Sequence, residues 1–108
     1  MRLTELNAEF LKIISENSYK RVDSVEESDG IIFLCPTCFI ANKGSVGTHS
    51  IICWRPHVPQ SMPPTPGRWE FHGTGLNDLS LVAGSSSILL SNPDGCKAHF
   101  FVTNGEIT

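Results

Sequence analysis

The chain has 108 residues, of which 40% are hydrophobic and 18% charged, and its formal net charge is −3. This is ordinary globular composition, which excludes the disordered and fibrous classes. The length predicts one domain over residues 1–108, near the size at which a metal staple matters to stability. The eight Lys and Arg residues are scattered along an acidic chain, without the basic patch that nucleic-acid binders carry. No nucleic-acid partner is expected.

The predicted elements begin with Leu3, Leu6, Phe10, Ile13 and Ile14, whose spacing predicts one amphipathic helix over about residues 3–17. No apolar run approaches the roughly 18 residues of a membrane span, so no membrane partner is expected. Met1 to Lys20 also carries Glu5, Glu9 and Glu16 where a signal peptide would have a continuous apolar stretch and a cleavage site. A cytoplasmic location is therefore expected, where cysteines read first as metal ligands or catalysts and only then as disulfides.

After an acidic stretch from Asp23 to Asp29, the pattern changes to short apolar runs broken by turns. Strands are predicted at Gly30–Cys35, His49–Trp54, Arg68–His72, Leu79–Val82 and Ser86–Leu90, placing the β part at about residues 30–108. Five prolines fall between Pro56 and Pro66. Residues 56–66 cannot donate enough amides for a central strand and predict a surface loop. His99–Thr103, Asn104-Gly105 and Glu106–Thr108 predict a closing hairpin, because Asn-Gly tolerates the positive φ angles of a type I′ turn. The fold class expected is α+β, mostly antiparallel β with one N-terminal helix, stapled by zinc.

The chemistry-bearing motif is Cys35-Pro36-Thr37-Cys38 after a predicted strand. Cys-x-x-Cys turns two thiolates onto one tetrahedral ion at about 2.3 Å. The same spacing serves thioredoxin-like redox sites, but those need a helix starting inside the motif. The following Phe39-Ile40-Ala41-Asn42-Lys43-Gly44 predicts a strand or loop, which favours zinc. Cys96-Lys97-Ala98-His99 offers a second half-site, and its flank Asn92-Pro93-Asp94-Gly95 places Cys96 at a loop end. Cys53 lies inside the apolar run Ile51-Ile52-Cys53-Trp54 and reads as a core thiol. His49 and His99 compete for the fourth position on the metal. His57 and His72 read as surface or partly buried histidines.

Gly84-Ser85-Ser86-Ser87-Ile88 reads either as a polar turn or as a site for a serine nucleophile, which needs a neighbouring base. No Gly-x-Ser-x-Gly elbow is present. A catalytic zinc would need an open position and a Glu base, and there is no His-Glu-x-x-His.

In order, Cys35-Pro36-Thr37-Cys38, His49-Ser50-Ile51, Pro66-Gly67-Arg68-Trp69-Glu70-Phe71-His72-Gly73, Ser86-Ser87-Ile88-Leu89, and Cys96 with His99-Phe100-Phe101-Val102-Thr103-Asn104-Gly105-Glu106-Ile107 run along the chain. Together they resemble a small bacterial and phage zinc-binding family of formerly unknown function, often mislabelled ammonia monooxygenase. The family is also encoded in bacterial ubiquitin-like conjugation operons. Ser86 stands where the family has a proline before the serine.

The resemblance implies a zinc-stabilised serine peptidase acting on a bacterial ubiquitin-like protein or its conjugates. Ser87 would be nucleophile and His99 base, with Cys35, Cys38, His49 and Cys96 on the zinc. No Asp or Glu stands out as orienter of the base; Asp78 and Asp94 are candidates by residue type alone. The alternative is a non-catalytic zinc-binding module, phage-encoded, whose proline loop and Trp54 or Trp69 contact another protein.

Overall fold

The computed structural model describes residues 1–16, 18–62, 68–82, 87–89 and 99–108, with backbone alone at 87–89 and 99. The helix expected over residues 3–17 is replaced by a 3-10 turn, Leu3–Leu6, and a strand, β1, Glu9–Ser15. Asn7 stops the turn in the left-handed region, at φ 52°, a conformation that asparagine reaches more readily than most residues. Beyond it the apolar residues do not line one helical stripe. Phe10 and Leu11 are adjacent and both buried, each in a different core, while Ile14 is 60% exposed. Only a strand with both faces covered buries consecutive residues in this way.

From β1 the chain turns back into β2, Ser18–Val22, and then crosses to β3, Gly30–Leu34, and β4, Ser50–Trp54. These four make one antiparallel sheet in the order β2-β1-β3-β4. Between β3 and β4 lies the helix α1, Pro36–Asn42. Two further ladders are present among the described residues. One pairs β5, Glu70–His72, with β6, Ser80–Val82. The other orders β7, Ser87–Leu89, against β8, His99–Thr103, and β9, Glu106–Ile107. The architecture is α+β and mostly antiparallel, but its α-helix sits between β3 and β4 and not at the N-terminus.

The closing hairpin forms as its Asn-Gly predicts, with Asn104 at φ 51° and Gly105 at φ 76°. It also holds the N-terminus, because Leu3 N–H donates to Gly105 O at 2.8 Å and Ile107 N–H to Met1 O at 2.7 Å. Arg2 adds an ion pair to Glu106 at 2.5 Å.

One sheet face carries the larger core, in which Leu3, Leu6, Phe10, Ile31, Phe33 and Cys53 meet Leu81, Phe100 and Val102. The other face carries Leu11, Trp54, Val58 and Met62. The described part of the proline segment is therefore more than a surface loop. Val58 and Met62 are buried, and Arg68 ties the segment down by donating to the carbonyls of Val58, Pro59 and Met62 at 2.6–3.0 Å. Proline-rich backbone lacks amides for a ladder, so it serves here as a lid whose side chains fill a core. Among the described residues, no helix is long and apolar enough to cross a membrane.

Candidate metal centre

The centre is built where β3 gives way to α1 and the chain returns into β4. Leu34 pairs with Ser50 as the last rung of the β3–β4 ladder. One residue further, Cys35 N–H donates to His49 O at 2.9 Å, so the two residues face each other across an extension of that ladder. Cys35 is also the N-cap of α1, in extended conformation at φ −60°, ψ 120°, followed by Pro36 in the first turn. Proline favours that position because its fixed φ suits a helix and its missing N–H would have no partner. The first turn then carries Cys38 back over Cys35, since residues three apart share a helix face.

The loop that returns the chain is fixed as well. Lys43 ends α1 at φ 56°, and Lys43 N–H and Gly44 N–H donate to Ile40 O at 3.3 Å and Phe39 O at 3.0 Å. This is the bonding of a Schellman C-cap. Thr48 Oγ1 donates to Gly44 O at 2.7 Å and accepts from Asn42 Nδ2 at 3.2 Å. Thr48 precedes His49, so these bonds set the histidine's approach to the cysteines.

The outcome is one cluster. A ligand atom each from Cys35, Cys38 and His49 lies within 4.8 Å of the other two. Donors on a tetrahedral zinc ion are about 3.5–3.8 Å apart, given bonds of about 2.0–2.3 Å, so the cluster is close to ligating geometry before any ion draws it in. Two thiolates and an imidazole could hold a metal ion, and soft donors of this kind suit zinc, copper(I) and iron–sulfur centres. Cys35 is fully buried, while Cys38 and His49 are half-buried. Cys96, expected as a further ligand, lies outside the described residues.

One expectation about the motif fails. The segment after Cys38 was to be a strand or loop, yet α1 begins inside Cys-x-x-Cys, as it would in a redox site. The helix start therefore does not separate metal from redox chemistry; Cys35 is buried at 0% exposure, Cys38 is half-buried, and the His49 imidazole beside them could complete a metal-binding group.

Cys53 is also fully buried, and burial alone pushes its thiol far above the ordinary range. It takes no part in the cluster, as the sequence predicts. Cys53→Ala is expected to keep the metal and to cost about 1 kcal/mol of packing, measured by elemental analysis and urea denaturation. Loss of metal in that variant would make Cys53 a ligand.

The remaining site residues are placed unequally. β7 and β8 pair with Ser87 opposite Phe101 and Leu89 opposite His99. Positions 87 and 99 therefore lie diagonally across this ladder, on one face of it. The Asp78 carboxylate is engaged within its own loop, accepting from Thr74 N–H, Thr74 Oγ1 and Gly75 N–H at 2.9–3.1 Å. Asp94 lies outside the described residues. Trp54 is fully buried, so it cannot contact a partner, and Trp69 is half-buried against the core.

His57 and His72 are exposed, as expected of histidines that are not ligands. His57 has a partner in Asp29, whose Oδ1 lies 2.7 Å from its Nε2. Nothing in the sequence links positions so far apart.

No protein-family model, curated protein or solved structure matches this chain significantly. The motifs alone carry the resemblance described above.

Proposed function

We propose that Cys35, Cys38 and His49 hold a structural zinc ion completed by Cys96, and that the domain it fixes is a serine peptidase acting on a bacterial ubiquitin-like protein or its conjugates. The observation that carries the zinc is the convergence of three soft donors from two separated segments. Cys96 lies outside the described residues, four positions before Phe100 in the sequence. The rings of Phe33 and Phe100 meet edge to face at 6.1 Å, which brings the start of β8 beside the end of β3. Four residues of chain, the distance from Cys96 to Phe100, span up to about 14 Å.

For the peptidase, Ser87 is the nucleophile and His99 the base, and the β7–β8 register supports this pairing. Diagonal neighbours on one face of a ladder are about 7–8 Å apart, a spacing that a histidine side chain can span. The Ser87 hydroxyl attacks the scissile carbonyl while His99 takes its proton. His99 then passes that proton to the leaving amine, and water hydrolyses the acyl-enzyme. The zinc holds the segment before β8 and touches no substrate.

The test is cleavage of a ubiquitin-like protein fused through its C-terminus to a reporter. Ser87→Ala and His99→Ala should each lower turnover by about 1,000-fold or more at unchanged zinc content. Undiminished cleavage by either variant, or loss of zinc from His99→Ala, rejects the pair.

A non-catalytic module is the second reading, and Ile40 and Val46 favour it. They stand 65% and 88% exposed on the α1–β4 corner, beside the metal cluster. Apolar side chains on a rigid corner are a place for a protein partner to dock. Retention of the intact fusion by the wild-type chain, without cleavage, would favour this module.

A further inference from the structure

A groove of about 560 Å3 is lined by Arg55, Pro56, His57, Glu70, Phe71 and His72. None of these residues belongs to the metal cluster or to the Ser87–His99 pair. Its volume lies within the range of small-ligand sites, and two of its cationic side chains are held in place from behind.

Arg55 Nη1 donates to Val25 O at 3.2 Å and Ser28 O at 3.0 Å. Its guanidinium carbon lies over the Phe71 ring, 5.4 Å from the centroid. These contacts fix the side chain and leave Nε and Nη2 without a hydrogen-bond partner among the described residues. That edge of the guanidinium is the one whose two N–H groups match a carboxylate or phosphate.

His57 is fixed through Asp29. The Asp29 carboxylate takes Ile13 N–H on Oδ2 at 2.8 Å and meets His57 Nε2 with Oδ1 at 2.7 Å. The backbone of Asp29 is tied too, with its N–H on Leu11 O and its carbonyl accepting Arg55 N–H. Partial burial works to raise the Asp29 pKa. The hydrogen bonds from His57 and Ile13, with the charges of His57 and Lys12, outweigh it and leave the pKa lowered. An ionised Asp29 accepts the proton on His57 Nε2. The other ring nitrogen, Nδ1, then carries a proton only when the imidazole is cationic.

We propose that this groove binds an oxyanion, the carboxylate or phosphate end of a small ligand, through the open edge of Arg55 and the imidazolium of His57. Donors held in advance by protein contacts lose little freedom when a ligand arrives, which is where such sites gain affinity. Glu70 opposes the ligand from β5, its carboxylate 3.4 Å from His72 Nε2. The charged and titratable groups around His57 are thus Asp29 and Lys12 from the sheet, Arg55 beside it, and Glu70 and His72 from β5. Asp29, which takes His57 Nε2, turns the ring's other nitrogen away from itself as a donor for the ligand.

The experiment uses the zinc-loaded full chain, labelled with 15N, at pH 6 and constant ionic strength. It is titrated separately with inorganic phosphate, acetyl-glycylglycine and the C-terminal amide of that peptide. Saturable shifts at the amides of Arg55, His57 and His72 are expected with phosphate or the free acid and not with the amide. The tighter of the two ligands identifies the source of the oxyanion.

Arg55→Gln should weaken binding about fivefold or more, but it also removes the bonds to Val25 and Ser28. Two exposed positions therefore decide the matter. His57→Gln should weaken binding, whereas Glu70→Gln should tighten binding about threefold by removing a like charge. Absence of saturable shifts up to millimolar ligand, or unchanged or weaker binding by Glu70→Gln, overturns the proposal.

Discussion

Replacing Cys35 with serine, or stripping a bound metal with a chelator, is expected to destabilise the chain severely. Structural zinc in small domains binds with about 10–16 kcal/mol of apparent free energy, against about 5–15 kcal/mol for the whole stability of a typical domain. Cys35 concentrates this dependence because three elements meet at it. It ends the β3 ladder through the bond to His49 O, caps α1, and belongs to the core cluster shared with Phe100 of β8. Without the ion, a buried thiol and a half-buried imidazole lose the partner that holds them together. Melting followed by circular dichroism should show a midpoint lowered by more than about 20 °C. Cys38→Ser and His49→Ala should behave alike. A midpoint unchanged in Cys35→Ser would mean that no ion contributes to the fold.

The second large effect is expected at Gly30, where β3 begins opposite Trp54. A Cβ added there would lie 2.3 Å from Trp54 Cε3 and 2.9 Å from the Cys53 carbonyl oxygen. Neither neighbour gives way easily. Cys53 O is backbone within β4. Trp54 is fully buried, with Leu11, Val58 and Met62 in its cluster and the Tyr19 ring edge at 5.9 Å. Overpacking of this kind costs about 1–3 kcal/mol and occasionally more, and Gly30→Ala is expected at the upper end. Urea denaturation of Gly30→Ala, Trp54→Leu and the double variant measures it. A smaller indole replacement should relieve the clash, so the double variant should be more stable than the sum of the single losses predicts. Strict additivity would show that Trp54 is not what the new methyl meets.

Legibility in the sequence followed the range of the interactions. β3, β4 and the closing hairpin are readable because short apolar runs, turn residues and an Asn-Gly dipeptide are local signals, and local geometry decides them. The N-terminal segment misled for the opposite reason. Leu3, Leu6, Phe10, Ile13 and Ile14 satisfy a helical period, but the deciding fact is that Phe10 and Leu11 face two separate cores. No local pattern reports a second core formed by Val58 and Met62 from a proline-rich segment. The start of α1 was hidden in the same way. Cys35 as N-cap and Pro36 in the first turn are a helix signature in retrospect, obscured by Phe39 and Ile40, which suit a strand equally well.

Within the candidate site, Cys-x-x-Cys was visible as a motif, whereas the choice of His49 rested on resemblance. The structure places His49 with the cysteines through a register: residue 35 opposes residue 49 on the rung after Leu34 and Ser50. That register is fixed by the whole β3–β4 ladder, so no feature of His49 itself announces it. The Asp29–His57 contact joins a strand start to a distant loop and had no signal at all.

The most direct measurement is the metal content of the chain purified without chelators, taken by elemental analysis beside the protein concentration. One zinc per chain is expected in the wild type and in Cys53→Ala, and less than a tenth of that in whatever soluble Cys35→Ser can be recovered. A wild-type chain that is folded and free of stoichiometric metal would contradict the account.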